Sequence, residues 1–499
     1  MVFPSPGCIT CKSRRVKCDS ARPTCGRCRK ASKHCEWTST DVEFWPFKSE
    51  NQYAEGQRRR PGRRQVGHCS QIIADTPSPR TSLVLSLPLE DHALNYWVRN
   101  YTAWPNDLNG IDYEYGVYAL HYFNSTASDS TLQLAVSAFS LAIFGRAMHF
   151  DKALKNSQVS YSRSIRRMRA DITTLSNETV GQLLVATLLM ATYDNIMHPE
   201  GSKSTLGLPA SAGGPRSSMD IGHCQGTVGL LQVQQHQGWS QSKSLESAIR
   251  RPIVRSCLLQ GVAVPEWLRD DKLYIGEDPM LQLDYLLVNL TILRSNALDI
   301  LQENDKTIQD RAERLQTIST EAQELDLAFE NWSRAIPDKW KFSVLYSHHA
   351  ANQTANDLLY EGSIHIYSSH GHATVWNRYR AGRLILNNMH MRLLLALAEY
   401  STQVALTTTQ IHKCRTTICS TTTDLCCSVF FFYDCKANFE DGLSPMMATL
   451  LAWPLAIAIS SEYAPRAQKQ WLKRKLEAVS RVLGANLLVS IAEEESLAL

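Results

Sequence analysis

The 499-residue sequence has little that would suit it to a membrane or to secretion. It opens MVFPSPGCITCKSRR, without an apolar stretch of signal-peptide length. Its most apolar later run, MMATLLAWPLAIAI at 446–459, is too short for a bilayer and contains Pro454, so it reads as a buried helix. No membrane partner is expected. Catalytic signatures are missing too: there is no nucleophile elbow, phosphate loop or dinucleotide fingerprint, and so no enzyme is expected. Without an export signal the chain belongs in a reducing compartment, where disulfides are rare. Its 14 cysteines are then thiols or metal ligands. At 44% hydrophobic and 20% charged residues, the composition excludes wholesale disorder and supports a sizeable core.

Charge of one sign is scarce overall, with a net of +4, but it is unevenly placed. Residues 1–80 hold 16 lysines and arginines against 7 acids, a net of +9, which leaves −5 for the other 419 residues. A basic head on a mildly acidic body predicts a polyanionic partner for the head alone.

That head contains Cys8, Cys11, Cys18, Cys25, Cys28 and Cys35, spaced C-x2-C-x6-C, six residues, then C-x2-C-x6-C again. Zinc prefers four tetrahedral ligands. Six thiolates cannot fill two separate four-ligand sites, and a single site would leave two reactive thiols spare. The tandem repeat therefore argues for two zinc ions sharing two bridging thiolates. Nine basic residues surround the cysteines, against Asp19 and Glu36. Residues 1–37 carry +7, and about +5 survives the formal −2 of six thiolates and two Zn²⁺, enough to hold phosphates by counterion release.

Spacing and basic content together resemble the fungal zinc binuclear cluster transcription factors. The resemblance covers all of residues 8–35, including R-R-x-K-C-D at 14–19, Pro23 two residues before the fourth cysteine, and the second C-x2-C. It implies that Cys8, Cys11, Cys18 and Cys25 bind one zinc and that Cys25, Cys28, Cys35 and Cys8 bind the other, with Cys8 and Cys25 as bridges. It also implies a short helix after each C-x2-C pair and a turn at Pro23. The first helix, at 12–18, would enter the major groove of double-stranded DNA and read a CGG-type triplet. Arg15 matches the main base-contacting position, with Lys12, Arg14 and Lys17 beside it; the fork of arginine suits the O6 and N7 of guanine. The implied function is that of a nuclear regulator of RNA polymerase II genes that works with the transcription machinery.

Residues 38–82 have no sustained periodicity and read as a flexible basic linker, in which RRRPGRR at 58–64 suits a nuclear import signal or a solvated loop equally. Many members of the family follow the zinc module with a dimerising coiled coil. No apolar heptad is present in 38–82, so a homodimer is left open.

From residue 83 to the end the pattern is helical, with helices expected at 130–147, 152–171, 181–194 behind caps at Ser176 and Asn177, 279–303, 306–334, 374–399 and 465–490. The fold class is a small zinc-stapled binuclear cluster module plus a large all-α helical domain, which diffusely resembles the regulatory domain of the same family. The Gly/Ser/Pro-rich stretch 201–220 reads as a disordered loop. Leu315, Ile318, Ala322, Leu325, Phe329 and Trp332 form a seam in 306–334, better explained by packing within the chain than by a dimer. Arg163, Arg166, Arg167 and Arg169 read as a solvated face. His365, His370 and His372 lack acidic or cysteine partners at ligand spacing and read as ordinary histidines, as do His348 and His349. Cys414, Cys419, Cys426, Cys427 and Cys435 border the apolar VFFFY at 429–433 and read as buried thiols. The terminal AEEESLAL mixes acids with leucines, as activation segments and frayed helix ends both do.

Overall fold

Helix-forming runs with caps at their ends dominate the described part of the chain. A computed structural model describes residues 8–35 (apart from 9, 12, 13, 15, 20 and 22), 87–102, 115–197 (apart from 128), 222–302, 308–346, 359–400, 404–433 and 442–483. The linker 38–82, the stretch 201–220, His348, His349, Cys435 and the terminal acidic segment lie outside the described residues. The chain divides into two units, 1–83 and 84–499.

The described residues of the first unit include helix α1 (Gly26–Lys30). The second unit contains α2 (Leu89–Trp97), α3 (Tyr115–Phe123), α4 (Thr131–Ala147), α5 (Asp151–Asp171), α6 (Asn177–Met197), α7 (Gly222–His236) and α8 (Lys243–Gln260). After these come α9 (Pro279–Gln302), α10 (Ile308–Ala335), α11 (His370–Ala398), α12 (Val404–Val429), α13 (Pro445–Ser460) and α14 (Arg466–Leu483). Each helix expected beyond residue 83 is present, most with shifted ends; of the one expected at 465–490 the described part is Arg466–Leu483. α4 starts behind Ser130, whose hydroxyl accepts the Gln133 N–H at 3.2 Å. α11 begins four residues earlier than expected because Ser369 caps it, accepting the His372 N–H at 3.1 Å.

Among the described residues the expected lack of strands has one exception. β1 (Ser343–Tyr346) and β2 (Ser363–Ile366) pair antiparallel, Ser343 opposite Ile366 and Tyr346 opposite Ser363. Four residues per strand are too few for a sequence alternation to stand out.

The core of the second unit is built around α11. Twenty-two of its 29 residues are buried, so it presents no solvent face and is enclosed by α9, α10, α12 and α13. Gly382 allows close approach there: a Cβ at that position would lie 2.8 Å from Leu287 Cδ2 and 3.3 Å from the Phe329 ring. The seam on α10 packs inward, as expected: Leu315, Ile318, Ala322, Phe329 and Trp332 are buried against this core. A short aromatic layer surrounds the buried guanidinium of Arg380. It bonds Tyr367 Oη at 2.6 Å and Asn377 Oδ1 at 2.8 Å and lies 5.0 Å from the Phe342 ring centroid.

The arginines of α5 are exposed, as expected of a solvated face, with Arg163 paired to Asp129 at 2.8 Å and Arg167 to Asp171 at 2.9 Å. Cys414, Cys426 and Cys427 are buried and Cys419 is half-buried. Burial pushes the Cys414 thiol up to about 12 and Cys427 to about 11. His365 and His372 are buried and hydrogen-bonded inside the fold, His372 Nδ1 lying 2.9 Å from Ser369 Oγ. No helix among the described residues is long and apolar enough to cross a membrane.

Candidate metal centre and nucleic-acid interface

Two cysteine-centred turns repeat the same local geometry. In the first, the Cys11 N–H points at Cys8 Sγ (3.3 Å); in the second, the Cys28 N–H points at Cys25 Sγ (3.3 Å). A sulfur accepting from the N–H three residues later is a side-chain helix cap, and Cys25 is the N-cap of α1. The C-x2-C spacing thus places two thiols on one turn, the first holding the turn open and the second facing the same way.

The helix expected at 12–18 does not run to Cys18 among the described residues. Thr10 and Cys11 are helical, Arg14 is in a turn, and Val16 to Cys18 have no regular structure. The Val16 N–H closes onto the Cys11 carbonyl at 3.1 Å, five residues back, and the chain then leaves the helix so that Cys18 Sγ reaches to 3.9 Å from Cys8 Sγ. Bringing the third cysteine back to the first is incompatible with continued helix. Between the halves the chain bends at Pro23 and Thr24, where the resemblance places its turn. α1 ends with Ser32 at φ 47°, and Cys35 Sγ returns to accept the Cys25 N–H at 3.3 Å.

Two contacts that the spacing does not reveal lock the halves together. The Asp19 carboxylate accepts the Gly26 N–H at 2.8 and 3.1 Å, which binds the chain after Cys18 to the start of α1. The Thr10 hydroxyl donates to the His34 carbonyl at 2.8 Å. Gly26 has to be small, since a Cβ there would lie 2.4 Å from Asp19 Oδ2.

The six sulfurs converge. Those of Cys8, Cys11, Cys18 and Cys25 lie within 4.8 Å of one another, and so do those of Cys8, Cys25, Cys28 and Cys35. Cys8 and Cys25 belong to both groups, 3.7 Å apart. Zinc–sulfur bonds of ~2.3 Å at tetrahedral angles set sulfurs about 3.8 Å apart. Within the groups, Cys8 to Cys28 is 3.6 Å, Cys11 to Cys25 is 3.5 Å and Cys8 to Cys18 is 3.9 Å. Cys11 and Cys28, which share no group, also approach to 3.8 Å. The donor set fits zinc in both number and spacing. Burial pushes the Cys28 thiol up to about 12 and also raises Cys11. Burial acts the same way on Cys8 and Cys25, but the N–H groups of Cys11 and Cys28 and the neighbouring thiols outweigh it and hold both below the usual range. The module's core consists of these cysteines, Cys8, Cys11, Cys25 and Cys28 fully buried with Cys18 and Cys35 packed on them.

Residues 6–41 match the family model of the fungal Zn(2)-Cys(6) binuclear cluster domain. This chain carries a fungal Zn(2)-Cys(6) cluster. The matched stretch is a small zinc-binding module and contains all six cysteines just described. Among similar proteins, an uncharacterized transcriptional regulatory protein of Schizosaccharomyces pombe is 51% identical over 37 residues, 7% of either chain. The sorbicillinoid biosynthetic cluster transcription factor of Hypocrea jecorina is 29% identical over 87 residues, 17% of this chain and 13% of that one. The aspercryptin biosynthesis cluster-specific transcription regulator of Emericella nidulans is 57% identical over 30 residues, 6% of this chain and 5% of that one. The matched stretches span at most 13% of these three relatives. No solved structure matches the chain.

Around the Zn(2)-Cys(6) cluster the surface is cationic. Arg14, Lys17, Arg27, Arg29, Lys30 and Lys33 are all exposed. Of the four residues expected to face DNA, Arg14 and Lys17 are on this surface, while Lys12 and Arg15 lie outside the described residues.

Proposed function

We propose that the protein is a zinc-dependent, sequence-specific DNA-binding transcription regulator. The observation that carries the reading is the pair of four-sulfur groups sharing Cys8 and Cys25 beneath an exposed cationic surface. In this reading two zinc ions occupy the groups, with Cys8 and Cys25 as bridges. The ions supply the folding free energy that so small a core lacks. Lys12, Arg14, Arg15 and Lys17 are carried into the major groove, Arg15 reading guanine of a CGG-type triplet and the others holding phosphate. The similar proteins whose names call them transcription factors or regulators support this role. The helical unit serves as the regulatory domain, and the protein acts in the nucleus on RNA polymerase II genes together with the transcription machinery.

Selection of the zinc-loaded full-length chain against random duplex DNA tests the reading. Enrichment of CGG-type triplets that disappears on chelation is the expected result, and triplet spacing then reports monomer or dimer. Affinity that does not depend on sequence, or enrichment that survives removal of zinc, overturns it. An Arg15→Ala chain should retain its zinc and lose discrimination at the triplet by about tenfold or more, the contribution of one bidentate arginine–guanine contact.

A further inference from the structure

Three lysines from separate segments of the second unit meet at one cavity. Lys243 opens α8 behind its cap Ser242, Lys272 is in the single turn 271–274, and Lys339 is in the turn 338–340 between α10 and β1. The backbone is held at each place. The Ser242 hydroxyl accepts the Leu245 N–H at 3.3 Å, and the Asp270 carboxylate accepts the Lys272 N–H at 3.0 Å. The Lys339 carbonyl accepts the Ser368 hydroxyl at 2.7 Å. Next to it the buried Trp340 accepts the Trp376 indole N–H through its carbonyl, also at 2.7 Å. All three lysines line a cavity of about 630 Å³, within the ~300–1,000 Å³ range of small-molecule sites.

The charges around this cavity do not cancel. Glu246 is paired with Arg250, and Arg251 with Asp284, which Arg378 shares. Beyond these pairs the lining holds the three lysines and one carboxylate, that of Asp278, which accepts the Met280 N–H at 3.1 Å. None of the three ammonium groups has an ion pair or hydrogen bond among the described residues. Lysines and Asp278 together leave a surplus of two positive charges. Ser244 and Ser247 line the same cavity half-buried, and their hydroxyls also have no hydrogen-bond partner among the described residues. Leu281 and the buried Met280 and Trp340 give the cavity an apolar side. Spare donors and positive charge beside an apolar surface call for an anion rich in acceptors with an apolar part.

We propose that this cavity binds a phosphate monoester with an apolar body, a property beyond the DNA-binding reading and independent of it. Such a phosphate carries a charge of about −1.5 to −2 at neutral pH and three acceptor oxygens. That matches the surplus charge and gives the three ammonium groups and two hydroxyls acceptors to share. Ammonium groups suit phosphate as point charges. A carboxylate, with one charge and two oxygens, would leave part of both unmatched. The apolar body lies against Met280, Leu281 and Trp340.

Titration calorimetry of the zinc-loaded full-length chain with phenyl phosphate, phenol and inorganic phosphate tests the proposal. Phenyl phosphate should bind saturably. Phenol, without the charge, should bind at least about tenfold more weakly. Inorganic phosphate, without a ring to bury, should also bind at least about tenfold more weakly. Lys243, Lys272 and Lys339 are exposed, so replacing all three by glutamine should keep zinc content and helicity and weaken phenyl phosphate by about tenfold or more. Arg166→Gln with Arg169→Gln removes positive charge from the solvated face of α5 and should leave phenyl phosphate affinity unchanged. No saturable binding up to millimolar phenyl phosphate, equal binding of ester and phenol, or inorganic phosphate bound as tightly as the ester overturns the proposal. So does wild-type affinity in the chain without the three lysines, or an equal loss in the α5 variant.

Discussion

Replacing one cysteine at a time separates shared sulfurs from unshared ones. Cys18 belongs to one four-sulfur group, and its loss leaves Cys8, Cys25, Cys28 and Cys35 able to hold one ion tetrahedrally. Cys25 belongs to both groups, and its loss leaves neither with four sulfurs. A structural zinc contributes on the order of 10 kcal/mol to the folding of a small domain. Among the described residues the module's buried cluster consists of its cysteines, so the two variants should differ by about that amount. Full-length chains equilibrated with zinc and passed over a desalting column should retain two ions in the wild type, one in Cys18→Ala and none in Cys25→Ala. Metal analysis of the eluate gives the count, and release to a chromogenic chelator gives the affinity. A Cys25→Ala chain that keeps an ion as tightly as Cys18→Ala would refute the shared-sulfur reasoning, because the two losses would then be equivalent.

Asp19→Ala removes the carboxylate that accepts the Gly26 N–H, a charge-assisted bond worth ~1.5–3 kcal/mol, and competition with a chelator of known affinity should show zinc bound about tenfold more weakly. Gly382→Val forces a side chain against Leu287 and Phe329 and should destabilise the helical unit by ~1–3 kcal/mol in urea titration; an unchanged midpoint would mean that α9 and α10 yield freely. His365 and His390 are held down to about 3 and about 4, chiefly by burial, with the Arg380 charge adding to the effect on His365. Unfolding frees both to protonate near 6.5, so the stability they contribute is complete above that pH and is lost as pH falls toward 4. The slope should be ~1.4 kcal/mol per pH unit for each histidine. Urea midpoints measured from pH 7 to 5 in wild type and in His390→Gln check this, and identical slopes would remove His390 from the account.

Much of the metal site is legible in the cysteine spacing, because zinc coordination is a local demand: C-x2-C is one turn, and six donors can serve two ions only by sharing. The helical class is legible for a similar reason, since runs such as 181–194 and the α10 seam carry their burial pattern in sequence order. Other features join positions that periodicity does not relate. Asp19 caps Gly26 across a bend, so neither residue signals the other. The hairpin of β1 and β2 pairs strands of four residues held by long-range contacts. A cavity beside Pro252 and Pro454 is lined by helices whose prolines lie about two hundred residues apart in sequence. Ligand number, charge and helical periodicity are properties of short segments, and the sequence alone determined the zinc chemistry, the basic head and the helical class. Which arginines face a shared carboxylate, which prolines line a common cavity and how Cys18 returns to Cys8 depend on segments meeting in space, and only the tertiary structure decided them.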